Sequence, residues 1–213
     1  MTDQPQELRV EYHRDLEAVA HKVVRLFALV CEAVAAANEA LLGDDTEALA
    51  AVQAGEATID GLMPEIEADI ERLLLLQAPM ASELRFALAV IRVAPELERS
   101  GDLAEHIAKR AGSGLATQLT PTARGQLERM GTVAAAIWRA AADAFIDRDP
   151  TAGETLEAAD DEMDDLHVAL TSELLTGGLP PGVASEATLV ARFYERLGDH
   201  AVHIATRVAH AVS

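Results

Sequence analysis

The sequence predicts an all-α fold made of two tandem three-helix bundles that are related by internal duplication. Half of the 213 residues are hydrophobic but only 3 % are aromatic, a composition that favours closely packed helices over sheets. The second observation is a repeated phrase: residues 98–102 read Glu-Arg-Ser-Gly-Asp, and residues 195–199 read Glu-Arg-Leu-Gly-Asp. Repetition over most of a chain indicates a duplicated structural unit.

The repeat extends well upstream of these phrases. Residues 42–48 align with residues 146–152, and Asp164 follows its counterpart Asp60 by 104 residues. Asp199 follows Asp102 by only 97 residues, so the second copy lacks seven residues, about two helical turns. If about one turn is removed from each of two antiparallel helices that form a hairpin, the remaining residues keep their places on the two facing surfaces. We therefore expect the acidic motifs of each copy to lie on adjacent arms of one hairpin.

The first bundle, residues 1–115, is predicted to hold three helices. They run from near Glu7 to Leu42, from near Thr46 to near Gln77, and from about Ser82 to Arg110. Asp45 or Thr46 is the expected N-cap of the second helix. Pro64 and Pro95 fall inside helices and are expected to kink or locally break them, because proline removes a donor and crowds the preceding turn.

The second bundle, residues 116–213, is predicted to repeat this arrangement. Pro121 and Pro150 each open a helix, because proline suits the first helical turn. The glycine- and proline-rich run 177–182 ends the fifth helix, and the sixth follows it to the C-terminus. Because the linker near residues 112–120 is short, we expect the two bundles to pack together.

Four acidic pairs with i, i+4 spacing stand at equivalent places of the repeat: Glu56/Asp60, Glu98/Asp102, Asp160/Asp164 and Glu195/Asp199. Side chains four apart share one face of a helix, where like charges destabilise it by a few tenths of a kcal/mol. Two pairs on adjacent helices repel more strongly. Solvation, a raised pKa, a nearby cationic side chain or a bound metal ion relieves such repulsion.

A histidine follows the second pair of each copy by four residues, at His106 and His203. Oxygen-rich sites suit Mg, Mn or Fe, and an added imidazole favours Fe, Mn or Zn, so these residues join the acidic pairs as candidate metal ligands. His200 is interpreted as a surface or packing residue, and His167 shows no ligand spacing. Gly101 and Gly198 occupy mid-helix positions at a cost of about 1 kcal/mol each, which predicts close approach of a neighbouring backbone.

The formal net charge of −19 argues against nucleic acid as a partner, because such a surface repels phosphate backbones. The first residues lack the apolar core of a secretory signal, and no run of the sequence approaches the length of a membrane span. Cys31 is the one cysteine, which excludes an intrachain disulfide and argues against a closed structural zinc site. We therefore expect a cytoplasmic protein without direct membrane insertion.

The tandem Glu-Arg-x-Gly-Asp-x-Ala-x-x-Ile-Ala phrases, the upstream acidic pairs and the segment 77–85 (Gln-Ala-Pro-Met-Ala-Ser-Glu-Leu-Arg) resemble the PhoU family of phosphate-signalling regulators. The resemblance implies two three-helix bundles, often dimeric, whose acidic motifs can bind iron, zinc or other metals. It also implies a non-enzymatic negative regulator of phosphate uptake that links the phosphate ABC importer, through its ATPase subunit, to a phosphate-sensing histidine kinase.

Carried over by motif, the resemblance implies eight carboxylate ligands, namely Glu56, Asp60, Glu98, Asp102, Asp160, Asp164, Glu195 and Asp199. The chain departs from the family pattern at two places. The family commonly has an acidic or amide residue two before the central glutamate, but the two copies have Glu96 and Phe193 there. His106 and His203 stand where the family often has a neutral polar residue.

Two other hypotheses remain open from the sequence. One is an enzyme, a di-iron carboxylate oxidase or ferroxidase, although such bundles use Glu-x-x-His motifs that the predicted stripes lack. The other is a metal-free helical scaffold whose carboxylates only face solvent. Metal content and oxygen consumption with ferrous iron distinguish these two hypotheses from the regulator.

Overall fold

The computed structural model describes the backbone of residues 4–76 and 79–212 and the side chains of residues 9–75 and 79–210, and within that part of the chain every regular element is a helix. The helices are α1 (Gln4–Gly43), α2 (Thr46–Leu76), α3 (Ala81–Ala108), α4 (Leu115–Gln118), α5 (Pro121–Asp147), α6 (Ala152–Thr176) and α7 (Pro181–Val212). The predicted all-α class is confirmed, and six long helices lie close to their predicted positions.

Three details differ from the sequence predictions or lie outside the description. The short helix α4 sits in the linker between the bundles and was not expected. Helices α2 and α3 run through Pro64 and Pro95 without a break, because each long helix is packed against its neighbours on both sides of the proline. The predicted end of the second helix near Gln77 lies outside the described residues.

Equivalent aspartates precede the second helix of each bundle; Asp45 caps α2, whereas the N-cap of α6 is Thr151. The carboxylate of Asp45 accepts hydrogen bonds from the backbone amides of Glu47 at 2.8 Å and Ala48 at 3.2 Å. Its repeat counterpart Asp149 accepts from the Thr151 amide at 2.8 Å, so α6 begins after Thr151 and not at Pro150. Both aspartates satisfy amides that a helix start otherwise leaves unpaired.

The two bundles share one continuous apolar core. Helices α1 and α5 pack together between the bundles, as do α3 and α7, while α2 and α6 lie on the outside. Trp138 is fully buried, and its ring lies 6.5 Å from that of Phe27, which in turn lies 5.2 Å from Phe145. The expectation that the bundles pack together is therefore met by the core itself.

Polar contacts also join the bundles. The hydroxyl of Tyr194, a fully buried residue, donates to the Asn38 side-chain oxygen at 3.1 Å. Ser100 Oγ lies 3.0 Å from His200 Nδ1 and donates to the Glu96 carbonyl at 2.6 Å. His200 is therefore no surface residue: its side chain is 12 % exposed, and it bridges α7 to α3.

Helix α1 alone meets the length and composition of a membrane span among the described residues. A window within residues 9–43 has a mean hydropathy of 1.6, but 44 % of it is buried inside the structure. The apolar residues Val23, Leu26 and Val30 are fully buried, because α1 packs against α2, α3 and α5. These three side chains of α1 are therefore part of the protein core.

Candidate functional site

The first acidic cluster consists of Glu56 and Asp60 on α2 and Glu98 and Asp102 on α3. These helices pack side by side, as the hairpin prediction requires. Glu56 is 8 % exposed, and both of its carboxylate oxygens are buried without a hydrogen-bond partner. Asp60 and Asp102 are exposed. The cluster therefore combines solvent-accessible carboxylates with one buried carboxyl group.

Burial, together with the negative charges of Asp102 and Asp60, raises the pKa of Glu56 to about 8. Burial and the charge of Asp102 also raise the pKa of Glu98. These shifts show that the carboxylates from the two helices lie close enough to repel one another. In the absence of a bound cation, a proton on Glu56 relieves this repulsion at neutral pH.

Gly101 provides the room that Glu56 occupies. A Cβ atom at this position would collide with Glu56 Oε2 and lie 2.8 Å from Ile59 Cδ1. The glycine therefore allows close approach of a carboxylate side chain from α2, not of a neighbouring backbone as the sequence suggested. The repeated glycine is part of the cluster, because it determines where the buried carboxyl group lies.

The second acidic cluster consists of Asp160 and Asp164 on α6 and Glu195 and Asp199 on α7. Burial, followed by the charges of Asp199, Asp164 and Glu195, raises the pKa of Asp160 to about 6. Asp160 Oδ1 and Glu195 Oε2 are buried without hydrogen-bond partners, while Glu195 Oε1 pairs with Arg192. The duplication thus places an equivalent acidic cluster in each bundle.

Gly198 repeats the role of Gly101. A Cβ atom on Gly198 would collide with Asp160 Oδ1, whereas Met163 Cγ would lie 3.6 Å away, an ordinary contact. In both bundles, a mid-helix glycine therefore makes room for the first carboxylate of the preceding helix. The contact therefore explains the glycine in each Glu-Arg-x-Gly-Asp motif.

The two histidines predicted as ligands both lie at the protein surface. The exposed His106 stacks on Phe193 of α7, with ring centroids 5.6 Å apart. The exposed His203 lies near His200, whose pKa its charge helps to lower. Eight residues along a helix correspond to a rotation of about 80°, so both histidines are turned from the face of Glu98 and Glu195. Their ligation stays a prediction.

A different histidine lies beside the second acidic cluster. His167 on α6 is partly buried, and its charge opposes the increase in the pKa of Glu195 that burial causes. It follows Asp164 by three residues and thus shares a face with it. The i, i+3 spacing from Asp164 was the available sequence signal for this proximity, which the sequence analysis did not use, and ligation by His167 is a prediction.

The departure at Glu96 and Phe193 has a structural explanation. Both residues lie at the contact between α3 and α7, where Glu96 Oε2 is 3.6 Å from His200 Nε2 and Phe193 stacks on His106. Neither residue is among the charges that shift the pKa of Glu98 or of Glu195. The loss of an acid at Phe193 therefore changes the contact between bundles and leaves the four carboxylates of the second cluster intact.

The chemistry of both clusters suits a hard or borderline cation, since they offer buried, unpartnered carboxylate oxygens. Among the described side chains, no three His, Cys, Asp or Glu residues already have ligating geometry. A bound ion would therefore require the exposed aspartates to rotate towards the buried carboxyl group. Two features of the clusters fit a cation: the oxygen-rich set of side chains, and the buried oxygens of Glu56, Asp160 and Glu195 that lack a hydrogen-bond partner.

Comparisons with known proteins agree with this architecture. The family model described as "PhoU domain" matches residues 23–111 and again residues 127–208. The chain is 33 % identical over 204 residues to the phosphate-specific transport system accessory protein PhoU homolog 2 of Mycobacterium tuberculosis, covering 94 % of this chain and 96 % of that protein. It is 34 % identical over 209 residues to PhoU homolog 1 of the same organism, covering 97 % and 95 %.

A solved structure shares the whole fold. The crystal structure of PhoU from Pseudomonas aeruginosa superposes with a TM-score of 0.88 at 25 % identity, over 94 % of this chain and 98 % of that chain. The similarity therefore spans both bundles and both acidic clusters. The two matches of the domain model and the near-complete coverage of the relatives show that this chain belongs to the PhoU family.

Proposed function

We propose that this chain is an accessory protein of a phosphate transport system that restrains phosphate uptake and the phosphate-starvation response. In this proposal it is a cytoplasmic adaptor, acts as a homodimer, and contacts both the ATPase subunit of the phosphate ABC importer and the phosphate-sensing histidine kinase. The observation that carries the proposal is similarity over nearly the full length to proteins named as phosphate-specific transport system accessory proteins.

The architecture suits a protein that works by contact. Six long helices present extended surfaces, and such surfaces bind helices and loops of partners. The buried side chains are almost all apolar, and Glu56 of the first acidic cluster is one of the few buried polar residues. We propose that these clusters hold metal ions (Fe, Zn, Mn or Mg), which neutralise the carboxylates and fix the spacing of α2 against α3 and of α6 against α7.

Deletion of the gene tests the regulatory role. In high phosphate, cells without the protein should express the phosphate-starvation genes, and the unmodified gene supplied in trans should restore repression. Transcript levels of those genes provide the measurement. Repression that persists in the deletion strain would contradict the proposal.

Recovery of partners tests the adaptor role separately. The full chain, tagged and isolated from cells in high and in low phosphate, should carry the ATPase subunit and the kinase, identified by mass spectrometry. The bound fraction should be larger in high phosphate, where the response is repressed. Absence of both proteins under both conditions would exclude the adaptor.

A further inference from the structure

A basic groove lies between the first half of α3 and the end of α7. It has a volume of about 360 Å³ and is lined by Arg85, Leu88 and Arg92 from α3 and by Arg207 and His210 from α7. The chain has only 17 lysines and arginines and a net charge of −19. Three arginines in one groove therefore create a local positive field on an otherwise acidic molecule.

These arginines are not neutralised by their surroundings. Among the described side chains, neither Arg85 nor Arg92 lies within ion-pair distance of a carboxylate, and both are exposed. Arg207 donates to the backbone carbonyl of Arg92 at 3.2 Å, a contact that leaves its charge uncompensated. Most other arginines at helix contacts have an acidic partner, as Arg110 has in Glu186 at 3.1 Å.

An exposed apolar stripe borders the groove. Leu84, Leu88 and Ile91 are 40 %, 40 % and 47 % exposed, and Leu88 also lines the groove. Their spacing of four and then three residues is that of a seam on which another helix packs. Arg85 and Arg92 flank the stripe on the side of α7, seven residues apart on the same face.

The equivalent surface of the second bundle lacks both features. The residues 97 positions after Leu88 and Ile91 are Ser185 and Thr188, and those after Arg85 and Arg92 are Gly182 and Leu189. The acidic clusters, in contrast, are retained in both copies. The fold therefore does not require the basic and apolar surface, so it needs an explanation specific to the first bundle.

We propose that this surface docks an amphipathic helix of a partner protein, whose apolar side covers Leu84, Leu88 and Ile91 and whose acidic flank pairs with Arg85 and Arg92. The proposal rests on the proposed adaptor function, since it names where one of the two partners binds. A small anion would use the arginines but not the stripe. An anionic membrane would be repelled by the net charge of the whole chain.

Two double variants of the full chain test the docking surface. Arg85→Glu/Arg92→Glu reverses the charges, and Leu88→Ser/Ile91→Thr installs the residues of the second bundle without changing charge. The matched control is Arg25→Glu/Arg139→Glu, which makes the same charge change at exposed positions of α1 and α5. All three should keep the helical circular dichroism of the unmodified protein, because every changed side chain is exposed.

Binding is measured to the purified ATPase subunit, to the cytoplasmic part of the kinase, and to synthetic helices about three heptads long with leucine seams and glutamate or lysine flanks. Both surface variants should weaken binding to one protein partner and to the glutamate helix by about tenfold or more, and the control by less than about twofold. The lysine helix should not bind, and added salt should weaken binding of the glutamate helix.

The possible failures are distinguishable. If the unmodified chain binds neither protein, the adaptor function fails, whatever the synthetic helix does. If it binds both proteins and neither surface variant weakens either complex, the docking surface is overturned and the adaptor function stands. The docking surface is also overturned if Arg85→Glu/Arg92→Glu turns a dimer into a monomer by light scattering. Arginine-dependent binding only to phosphatidylserine vesicles would overturn it as well.

Discussion

The two acidic clusters are copies of one arrangement, but they differ in their neighbours. Three residues after Asp60 the first copy has Met63, whereas the second copy has His167 three residues after Asp164. Both copies keep four carboxylates and a glycine that makes room for one of them. The comparison therefore distinguishes the carboxylates and the glycine, which both clusters share, from the neighbouring residues, which differ between the copies.

The neighbours also change the local charge. In the second cluster, Arg192 pairs with Glu195, whereas the equivalent position before Glu98 is Pro95. In the first cluster, the charge of Glu105 adds to the repulsion on Glu56; the second has Val202 at the equivalent position. The second cluster has an additional acid of its own, since the charge of Asp161 adds to the repulsion on Asp160, and in the first cluster Arg99 opposes the increase in the pKa of Glu98.

The pKa values of the two clusters differ with burial and with these neighbouring charges. The pKa of the buried Glu56 rises to about 8, and that of the less buried Asp160 rises to about 6. On the proposal that both clusters hold metal ions, we expect the two copies to differ in the metal that each prefers. An all-carboxylate cluster favours Mg or Mn, and a cluster with an imidazole favours Zn or Fe.

Removal of carboxylates from one cluster at a time should have the largest effect. Glu56→Gln/Asp102→Asn should lower Mn affinity at the first cluster by about 100-fold or more, and Asp160→Asn/Asp199→Asn should do so at the second. Isothermal titration with Mn should show stoichiometry falling from two ions to one in each variant. Unchanged stoichiometry in both would identify the clusters as solvated acidic faces.

The stability of the metal-free protein should fall as pH rises from about 4.5 to about 8. Over this range the unfolded Glu56, with its ordinary pKa of 4.5, loses a proton that the folded state keeps up to a pKa of about 8. Urea unfolding with a chelator should show a loss of about 3 kcal/mol in the free energy of unfolding between pH 5 and pH 8 in the unmodified protein. Glu56→Gln should remove most of that loss.

Two variants sharpen this comparison. Asp160→Asn should flatten the pH dependence less than Glu56→Gln does, because the pKa of Asp160 rises only to about 6. The control Glu71→Gln changes an exposed side chain of α2 and should leave the slope as it was. Equal slopes for Glu56→Gln and Glu71→Gln would show that Glu56 is not the buried titrating group.

Exchange of the histidine between the copies should change metal preference by about tenfold. His167→Met copies the first cluster and should weaken Zn binding at the second cluster while leaving Mn binding unchanged. Met63→His should strengthen Zn binding at the first. Competition between the two metals for each variant provides the measurement.

The same experiment tests the other imidazoles. His106→Gln and His203→Gln remove the two histidines that the sequence analysis named as ligands. A weaker Zn affinity in these variants, with no change in His167→Met, would assign ligation to them instead of to His167.

The smallest expected effect comes from the two glycines. Gly101→Ala should destabilise the protein by about 1 kcal/mol more than Gly198→Ala, because both Glu56 and Ile59 must move in the first bundle whereas Asp160 alone must move in the second. The control Gly125→Ala, at an open helical position, should stabilise it by about 1 kcal/mol. Thermal unfolding of the three variants distinguishes packing from helix propensity.

The fold and the acidic clusters could be predicted because they depend on local rules and on the repeat. Glycine and proline positions gave the helix ends to within a few residues. The equivalence of Asp60 with Asp164 and of Asp102 with Asp199 placed the carboxylates on adjacent helices. The family resemblance found by the same motifs is confirmed by the comparisons.

The environments of His106, His167 and His200 were not predicted, because they depend on the rotation of side chains about the helix axis and on contacts between the bundles. The sequence analysis placed His106 on the same helix face as Glu98, because the two residues are eight positions apart. Eight residues leave a rotation of about 80° about the helix axis, and the ring of His106 stacks on Phe193. The proximity of His167 to Glu195 was not predicted, because only spacings in multiples of four were considered. His200 was expected to be a surface or packing residue, and the structure shows packing: its partners Ser100 and Glu96 belong to the other bundle, which spacing within one copy does not reveal.

The shared core, with α1 against α5 and α3 against α7, makes the two copies one thermodynamic unit. An ion that stabilises either hairpin lowers the free energy of the whole native state, so occupancy in one half reports on the folding of the other. We therefore expect the duplicated halves to unfold together, in one melting transition for the whole chain.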